Sequence, residues 1–322
     1  MDNKTIYKRT LGFSLRRIFW DIVSVIVMLA IATLGFMLGE KFFENGIIGL
    51  VIGAIVGLVI MAILLRFVSY RLKAGQIAMM TRAITEGDLP DDVISEGKRT
   101  VKERFVTVAA YFAVTGAIKG IFSQLGRGIT KVGDRLGGDT GNAIGSAVST
   151  AIQTLVAYLC DCCLGWVFYR RNVKAGKATC EGAVLFFRHG KTLARNMGRI
   201  FGFGLASLVV IGGVFTGIFY VVLKQFDQAL SGIYAAIAEL AADSDSTIIR
   251  ILQDPATLPI VFAVILALIV WGIIHGTFIK PFVLTGVLRN YLESGMDEVP
   301  DESSFNALDS RSAKFRKLHA SL

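Results

Sequence analysis

The sequence has 322 residues, of which 53% are hydrophobic and 18% are charged. The hydrophobic residues occur in long runs, which excludes a disordered chain, a disulfide-stabilised secreted domain and an ordinary soluble enzyme of this length. The formal net charge is +9, and in an integral membrane protein such a basic excess belongs mainly to the cytoplasmic segments.

Six segments contain the roughly 20 predominantly apolar residues that an α-helix needs to cross the hydrocarbon core of a bilayer. The two near 105–125 and 144–169 also carry polar residues, so we expect them to face the protein interior or a water-filled cavity rather than lipid. The pattern predicts an all-α integral membrane protein with one membrane domain over residues 18–295. The six predicted spans lie near 18–38, 46–68, 105–125, 144–169, 200–223 and 258–279.

The distribution of Lys and Arg predicts the orientation of these spans. If the N-terminus is cytoplasmic, 27 of the 34 Lys and Arg residues fall on the inner side, as the positive-inside rule requires. We therefore expect the basic segment 1–17 and the polar tail 296–322 to lie in the cytoplasm, with the protein in the plasma or inner membrane. On the outer side, apolar residues at helical spacing predict an amphipathic helix within the loop 226–257.

A similar sequence pattern follows each even-numbered span. Each of these spans ends in aromatic or basic residues, at Tyr70, Tyr169 and Phe278, and continues into an amphipathic segment. In the segments after the second and sixth spans, an Arg is followed four residues later by a Glu, beginning at Arg82 and Arg289. These features favour three hairpins, each followed by an amphipathic interfacial helix on the cytoplasmic side. Coincidence is the alternative, because aromatic and basic residues are expected wherever a span leaves toward the cytoplasm.

Glycines recur every four residues in most of the spans, as at Gly49, Gly53 and Gly57 in the second. Apolar side chains gain nothing by leaving lipid for a helix interface, so close backbone approach at small residues drives packing in membranes. We expect these stripes to pack spans within one chain rather than to form a dedicated oligomer interface.

The fourth predicted span carries a polar face that includes Asp161. This residue lies roughly 13 Å along the helix from the basic residues at the cytoplasmic end, which is too deep for a headgroup position. An intramembrane carboxylate is a functional-site hypothesis that needs a partner, and the candidates are His275 and, less favourably, Lys119. The alternative is a purely structural interhelical hydrogen bond of about 0.6 kcal/mol. The other polar residues on this face are Ser146, Thr150 and Gln153.

The sequence contains no catalytic motif: it has no phosphate-binding loop, no zinc-binding His-Glu-x-x-His and no recognisable Ser-His-Asp arrangement. We therefore predict no enzyme, no cofactor and no catalytic residue. The cysteines lie at or just beyond the cytoplasmic end of the fourth span, where disulfides are disfavoured and one helix face cannot surround a metal ion. We interpret them as small buried hydrophobic residues, with reversible acylation as the alternative. They are Cys160, Cys162, Cys163 and Cys180.

One region combines a helix of basic and acidic residues with a cysteine-rich segment. From Ile118 to Leu164 it contains Arg127, Asp134 and Leu136 and then the run Cys160-Asp161-Cys162-Cys163-Leu164. Further matches are Arg171-Asn172, the segment around Cys180, Phe186-Phe187, Ala194-Arg195-Asn196, the span with Gly212-Gly213, and Leu258-Pro259. Over about two-thirds of its length the chain thus resembles the C-terminal half of the choline transporter-like family.

That resemblance implies a multi-pass protein that moves choline or a related small organic cation by facilitated transport. The chain is much shorter than the family's members and lacks their large extracellular domain and about half of their spans. Transport by a single copy is therefore in question, and a homo-oligomer is the alternative.

A quaternary ammonium ion cannot be held by hydrogen bonds, so its site needs aromatic faces and a carboxylate. Tyr158 and Trp271 lie near Asp161 and His275 in helical register and would supply such a cage. For rings closer to the cytoplasmic end of the fourth span, an interfacial aromatic belt is the competing interpretation.

On these grounds we predict a transporter of choline or a related small organic cation, with the bilayer as its environment and no nucleic-acid partner. Two other functions stay open: a non-transporting module that organises the membrane or assembles a complex, and a lipid-handling protein. We predict no metal ligand. The predicted pathway or substrate-binding residues are Ser146, Thr150, Gln153, Tyr158, Asp161, Trp271 and His275.

Overall fold

A computed structural model describes the backbone of residues 1–133, 141–188, 190–226 and 257–322, and of a few isolated residues between 227 and 235. Every regular element in these ranges is helical, as predicted. The outer amphipathic helix predicted at 226–257 lies almost wholly outside the described residues. The helices are α1 (Asn3–Phe43), α2 (Gly46–Thr85), α3 (Val93–Arg104), α4 (Val108–Gly133), α5 (Gly141–Tyr169), α6 (Ala175–Arg188), α7 (Gly190–Ser207), α8 (Gly213–Gln225), α9 (Leu258–Ile274), α10 (Lys280–Met296), α11 (Glu302–Asp309) and α12 (Ala313–His319).

Four helical stretches are long and apolar enough to cross a membrane: α1, α2, Gly198–Gln225 and Leu258–Met296. There is a fifth possible span only if α3 and the stretch Ala109–Gln124, which meet at an angle of 83°, are counted together as one broken span. The predicted span near 144–169 is a helix, α5, but it is not among the stretches that qualify in the described part of the chain. The prediction of an all-helical chain with several helices that could cross a membrane is therefore confirmed for the described residues, whereas the count of six spans and the three hairpins are not.

The chain divides into two compact units. The core unit comprises Met1–Ser14, Arg71–Phe203 and Lys280–Leu322, and the span unit comprises Leu15–Tyr70 and Gly204–Ile279. Helices α1 and α2 each contribute residues to both units. The other two long stretches are interrupted by short π-helical turns, Leu208–Gly212 between α7 and α8 and His275–Ile279 between α9 and α10.

In the span unit, many large apolar side chains are exposed, including Phe19, Ile26 and Val209. That exposure suits helices whose outer faces contact lipid. Helices α1 and α2 are joined by a two-residue connection in which Glu44 has a positive φ of 52°. The side-chain oxygen of Asn45 then accepts hydrogen bonds from the first turn of α2.

The glycine stripe of α2 packs within the chain, as predicted. A Cβ atom placed on Gly49 would lie 2.1 Å from the carbonyl oxygen of Gly35, so the two backbones are in direct contact there. The prediction of close packing within the chain is wrong for these glycines of the fifth and sixth predicted spans: a Cβ atom on Gly213, Gly217 or Gly272 would have no neighbour within 4 Å among the described residues.

The core unit contains most of the fully buried side chains. The segments 72–85 and 282–292, predicted to lie on the membrane surface, are instead parts of α2 and α10 that lie in the interior of this unit. Ile77 and Met80 are buried in the first segment, and Leu284 and Leu288 in the second. Their apolar residues therefore pack against protein and not against lipid headgroups, which corrects the prediction of interfacial helices for these two segments.

The polar tail 296–322 is folded and packed onto the core unit. Asp301 caps α11, and Ser312 caps α12 by accepting the N–H of Phe315. The Ser312 hydroxyl also donates to the side-chain oxygen of Gln124 at 3.1 Å, which ties the tail to α4. The buried rings of Phe305 and Phe315 provide the apolar part of this contact.

Candidate functional site

The C-terminal half of α5 is the central helix of the core unit. Between Val156 and Phe168 almost every side chain is buried, including the large rings of Tyr158 and Trp166. Asp161 lies in this stretch with 3% of its surface exposed. Burying an ionised carboxylate is costly unless an opposite charge compensates it, so Asp161 needs a cationic partner inside the unit.

Two lysines fill that role. The ammonium of Lys73, from the C-terminal third of α2, lies 2.7 Å from Oδ1 of Asp161, and that of Lys280, the first residue of α10, lies 2.7 Å from Oδ2. The partners expected from the sequence were wrong: Lys119 is exposed on α4, and the ring of His275 contacts Ser207. One carboxylate thus ties α2 and α10 to α5.

Two ammonium groups face one carboxylate in this cluster. The side chain of Lys73 is 38% exposed and that of Lys280 is 19% exposed, whereas that of Asp161 is 4% exposed. An approaching ion therefore meets the lysines before it meets the carboxylate.

Tyr158 lies one helical turn before Asp161 on the same side of α5. The ammonium of Lys280 is 5.3 Å from the centre of the Tyr158 ring, a cation–π contact within the chain. The tyrosine hydroxyl is buried and has no hydrogen-bond partner among the described residues. The ring that was predicted to bind an organic cation is thus in contact with a lysine of this chain.

The span unit brings together Trp271 and His275, as helical register predicted. Their ring centres are 5.1 Å apart, and both side chains meet the hydroxyl oxygen of Ser207, which sequence reasoning missed. Ser207 donates its proton to the carbonyl of Gly204 at 2.8 Å. The indole N–H of Trp271 donates to the Ser207 oxygen at 3.1 Å, and Nδ1 of His275 lies 3.2 Å from the same oxygen.

Both π-helical turns adjoin this cluster, since Ser207 precedes the first and His275 begins the second. Within the second turn, the Gly276 carbonyl accepts a hydrogen bond from Arg17. The hydroxyl of Thr277 donates to Asp21 at 3.1 Å. Arg17 thus supplies a hydrogen bond to the irregular backbone of this turn, and Asp21 binds a side chain of the same turn, as suits a helix in a membrane that departs from α geometry.

The remaining predicted pathway residues lie on α5. Gln153 is exposed, and the side chains of Ser146 and Thr150 lie outside the described part of the chain. The structure thus groups Asp161 with Tyr158 in the core unit, and Trp271 with His275 in the span unit.

The cysteines are buried, except for the half-buried Cys160. Burial raises the pKa of the Cys180 thiol to about 12, so it stays protonated and unreactive at neutral pH. The thiol of Cys163 donates weakly to the carbonyl of Thr179 at 3.6 Å. No group of three or more metal-binding side chains occurs within the described ranges.

A spacing in the sequence could have identified the two lysines. Lys73 is followed by Arg after nine residues and by Glu after four more, and the same spacing starts at Lys280. The structure makes these positions equivalent in their contacts: each lysine binds Asp161, and each Arg pairs with its Glu. The later residues are Arg82 and Glu86 in the first copy and Arg289 and Glu293 in the second.

A second sequence similarity links two helices that come earlier in the chain than these two copies, namely α1 before the first copy and α7 before the second. The sequence Thr10-Leu11 with Arg17-Ile18-Phe19 in α1 returns as Thr192-Leu193 with Arg199-Ile200-Phe201 in α7. By contrast, the segment after Tyr169 does not fit the recurrence, because α5 ends there and a turn leads into α6. The first and third predicted copies are therefore alike, and the second is not.

Compared with known proteins, the chain matches no family model, no curated protein and no solved structure. The choline transporter-like resemblance accordingly stays a prediction.

Proposed function

We propose that the protein is a non-transporting membrane module, in which four spans anchor a packed helical domain on the cytoplasmic side. The domain's task in this proposal is to organise the membrane or to assemble a complex at its surface. The observation that carries it is the compensation of Asp161 by Lys73 and Lys280. The carboxylate that a cation pathway would use is bound twice within the chain.

The charge distribution supports four spans with the core unit inside. In this arrangement the outer side holds three of the 34 Lys and Arg residues, namely Lys41, Lys224 and Arg250, compared with six in the six-span arrangement, where Lys119 lies within a span. The four-span arrangement therefore satisfies the positive-inside rule better.

Basic residues also lie within four positions of every passage between the two units, as expected where helices leave a membrane toward the cytoplasm. These residues are Arg16, Arg17, Arg71, Lys73, Arg199 and Lys280.

Transport of a small organic cation is the second candidate function. One observation favours it: Trp271, His275 and Ser207 form a polar and aromatic cluster beside two π-helical turns within the spans. Such turns are frequent at functional sites. This cluster, and not Asp161, would then be part of the pathway.

A flux measurement separates the two functions. Purified protein reconstituted into vesicles should give no flux of choline or of related quaternary ammonium ions above that of empty vesicles. Substrate-dependent flux that is lost in Trp271→Ala, with folding retained, would overturn the proposal and establish the second candidate. Trp20→Ala is a suitable control, since Trp20 is an exposed tryptophan of the same unit.

A further inference from the structure

We propose that the C-terminal helix α12 and the start of α6 form a basic surface that binds an acidic segment of a partner protein. The inference names the partner class for the assembly of a complex, and so it rests on the proposed function. From Ser310 to Leu322 the chain has four Lys or Arg residues and no Asp or Glu. Two more basic residues lie at the start of α6, and all six are exposed. The six are Lys174, Lys177, Arg311, Lys314, Arg316 and Lys317.

Packing within the core unit places the two basic stretches next to each other. Helix α12 contacts both α4 and α6. A Cβ atom on Gly176, in the first turn of α6, would lie 2.9 Å from the side chain of Leu322, which follows α12. Lys174 and Lys177 flank Gly176 in the sequence, so these lysines adjoin the end of the C-terminal segment. The basic residues of both stretches therefore belong to one surface of the core unit.

Acidic groups that lie close to this surface in the chain have partners of their own. Glu302 and Asp309 both contact the ring of His319, at 3.2 and 2.9 Å. Glu181 in α6 pairs with Arg170 at 2.9 Å. Within the part of the chain that the structure describes, none of the six basic residues forms an ion pair. An acidic ligand would therefore compensate charges that the described chain itself leaves uncompensated.

The apolar residues of the C-terminal segment favour a protein partner over a bilayer or a nucleic acid. An interfacial helix binds a membrane by burying a free apolar face among the lipids. In α12 that face is occupied, because the ring of Phe315 is buried in the core unit together with that of Phe305. The same burial leaves neither ring exposed for the base stacking that single-stranded nucleic acids use. What the segment does expose is its charges, and Arg binds carboxylates through paired hydrogen bonds.

The test uses the full-length protein in nanodiscs of phosphatidylcholine, a lipid without net charge. The probe is a fluorescent poly-glutamate peptide whose binding is followed by fluorescence anisotropy, and a Gly-Ser peptide of the same length is the uncharged control. We expect binding of poly-glutamate that weakens as the salt concentration rises. The double variant Arg316→Glu/Lys317→Glu should bind at least about tenfold more weakly, because the reversed charges repel the peptide.

Lys98→Glu/Lys102→Glu is the matched control. It changes the net charge by the same amount at two exposed positions of α3 and should bind the peptide as the wild type does. All of these substitutions are at exposed positions, so each variant should keep the thermal unfolding midpoint of the wild type. Equal weakening in the two double variants would show an effect of net charge alone and would overturn the proposal. Wild-type affinity in Arg316→Glu/Lys317→Glu would also overturn it.

Two further arms test other anionic partners, with phosphatidylglycerol vesicles or a double-stranded RNA added in place of the peptide. Binding of either one that is tighter than that of poly-glutamate, and that is lost in Arg316→Glu/Lys317→Glu, would reassign the surface and overturn the proposal. No flux is measured in this experiment, so a failure of peptide binding leaves the non-transporting function standing. Cation flux, by contrast, would overturn that function and leave the binding result in place.

Discussion

Arg17 on α1 donates a hydrogen bond to the backbone carbonyl of Gly276 in the last span. The carbonyl belongs to the π-helical turn His275–Ile279. The same guanidinium lies 3.9 Å from Asp21, one turn further along α1, and Asp21 in turn accepts a hydrogen bond from Thr277. The first and last spans of the span unit are therefore joined by polar contacts with an irregular piece of backbone.

Replacing Arg17 should destabilise the span unit. Arg17→Gln removes a charged hydrogen bond to a partly buried carbonyl, a contact worth about 1.5–3 kcal/mol, and it leaves Asp21 without its cationic neighbour. The neighbouring Arg16 is exposed, so Arg16→Gln should have little effect. Thermal unfolding of the two variants in the same detergent measures the difference, and equal midpoints would show that the Arg17 contact contributes nothing.

The buried ion cluster should behave as one unit. Asp161→Asn leaves two partly buried ammonium groups together, and removal of one partner from a buried ion pair costs about 3–5 kcal/mol. Lys280→Gln should cost less, because Lys73 still compensates the carboxylate. The double variant should be less destabilised than the sum of the single variants, and additive effects would contradict the coupling.

The surface ion pair between Arg289 and Glu293 provides a control for the single and double variants of Asp161 and Lys280. Glu293 is 52% exposed in its pair with Arg289. Glu293→Gln should therefore cost no more than about 1 kcal/mol, as is usual for surface ion pairs.

The contact between α1 and α2 should not tolerate a side chain at Gly49. In Gly49→Ala the new Cβ atom would overlap the carbonyl of Gly35, and neither backbone can yield without separating the helices. We expect a loss of about 1–3 kcal/mol or more, the usual cost of overpacking. Gly213→Ala is the control, because the same change there meets nothing within 4 Å. Equal stability of the two variants would contradict the close packing.

Labelling of Asp134→Cys with an impermeant thiol reagent distinguishes four spans from six. Residue 134 lies between the two predicted spans 105–125 and 144–169, so it is outside in the six-span arrangement and inside in the four-span arrangement. In sealed cells we expect no labelling of Asp134→Cys and clear labelling of Asp243→Cys. The native cysteines are mostly buried, so the unmodified protein is the blank. Labelling of Asp134→Cys from outside would refute the four-span topology.

The packing of the C-terminal helices should weaken as the pH rises. The hydrogen bond from His319 to Asp309 raises the pKa of His319, with Glu302 adding to the effect. A raised pKa in the folded state means that the contribution is complete below the ordinary value of about 6.5 and is lost as the pH rises through the folded-state value. The stability difference between wild type and His319→Gln should shrink over that range. A difference independent of pH would show that the charge of His319 is irrelevant.

Hydrophobic pattern alone could not decide the environment of α5. Val156, Leu159, Leu164 and Val167 make this helix apolar on several sides, and such a helix is buried either in lipid or in a protein core. Only the packed neighbours show that its C-terminal half is surrounded by protein. For the same reason the amphipathic segments after the second and sixth predicted spans could not be assigned to a membrane surface or to an interior from periodicity.

The sequence by itself determined that this is a helical multi-pass membrane protein, because runs of about 20 apolar residues have few other structures available to them. It also identified Asp161 as a buried carboxylate in need of a partner, and the adjacency of Trp271 and His275 through their spacing on one helix. Only the tertiary structure decided that Lys73 and Lys280 supply the partner, since ion pairs between residues far apart in the chain depend on how helices are brought together. The double compensation of one carboxylate is a property of three residues together and of none of them alone.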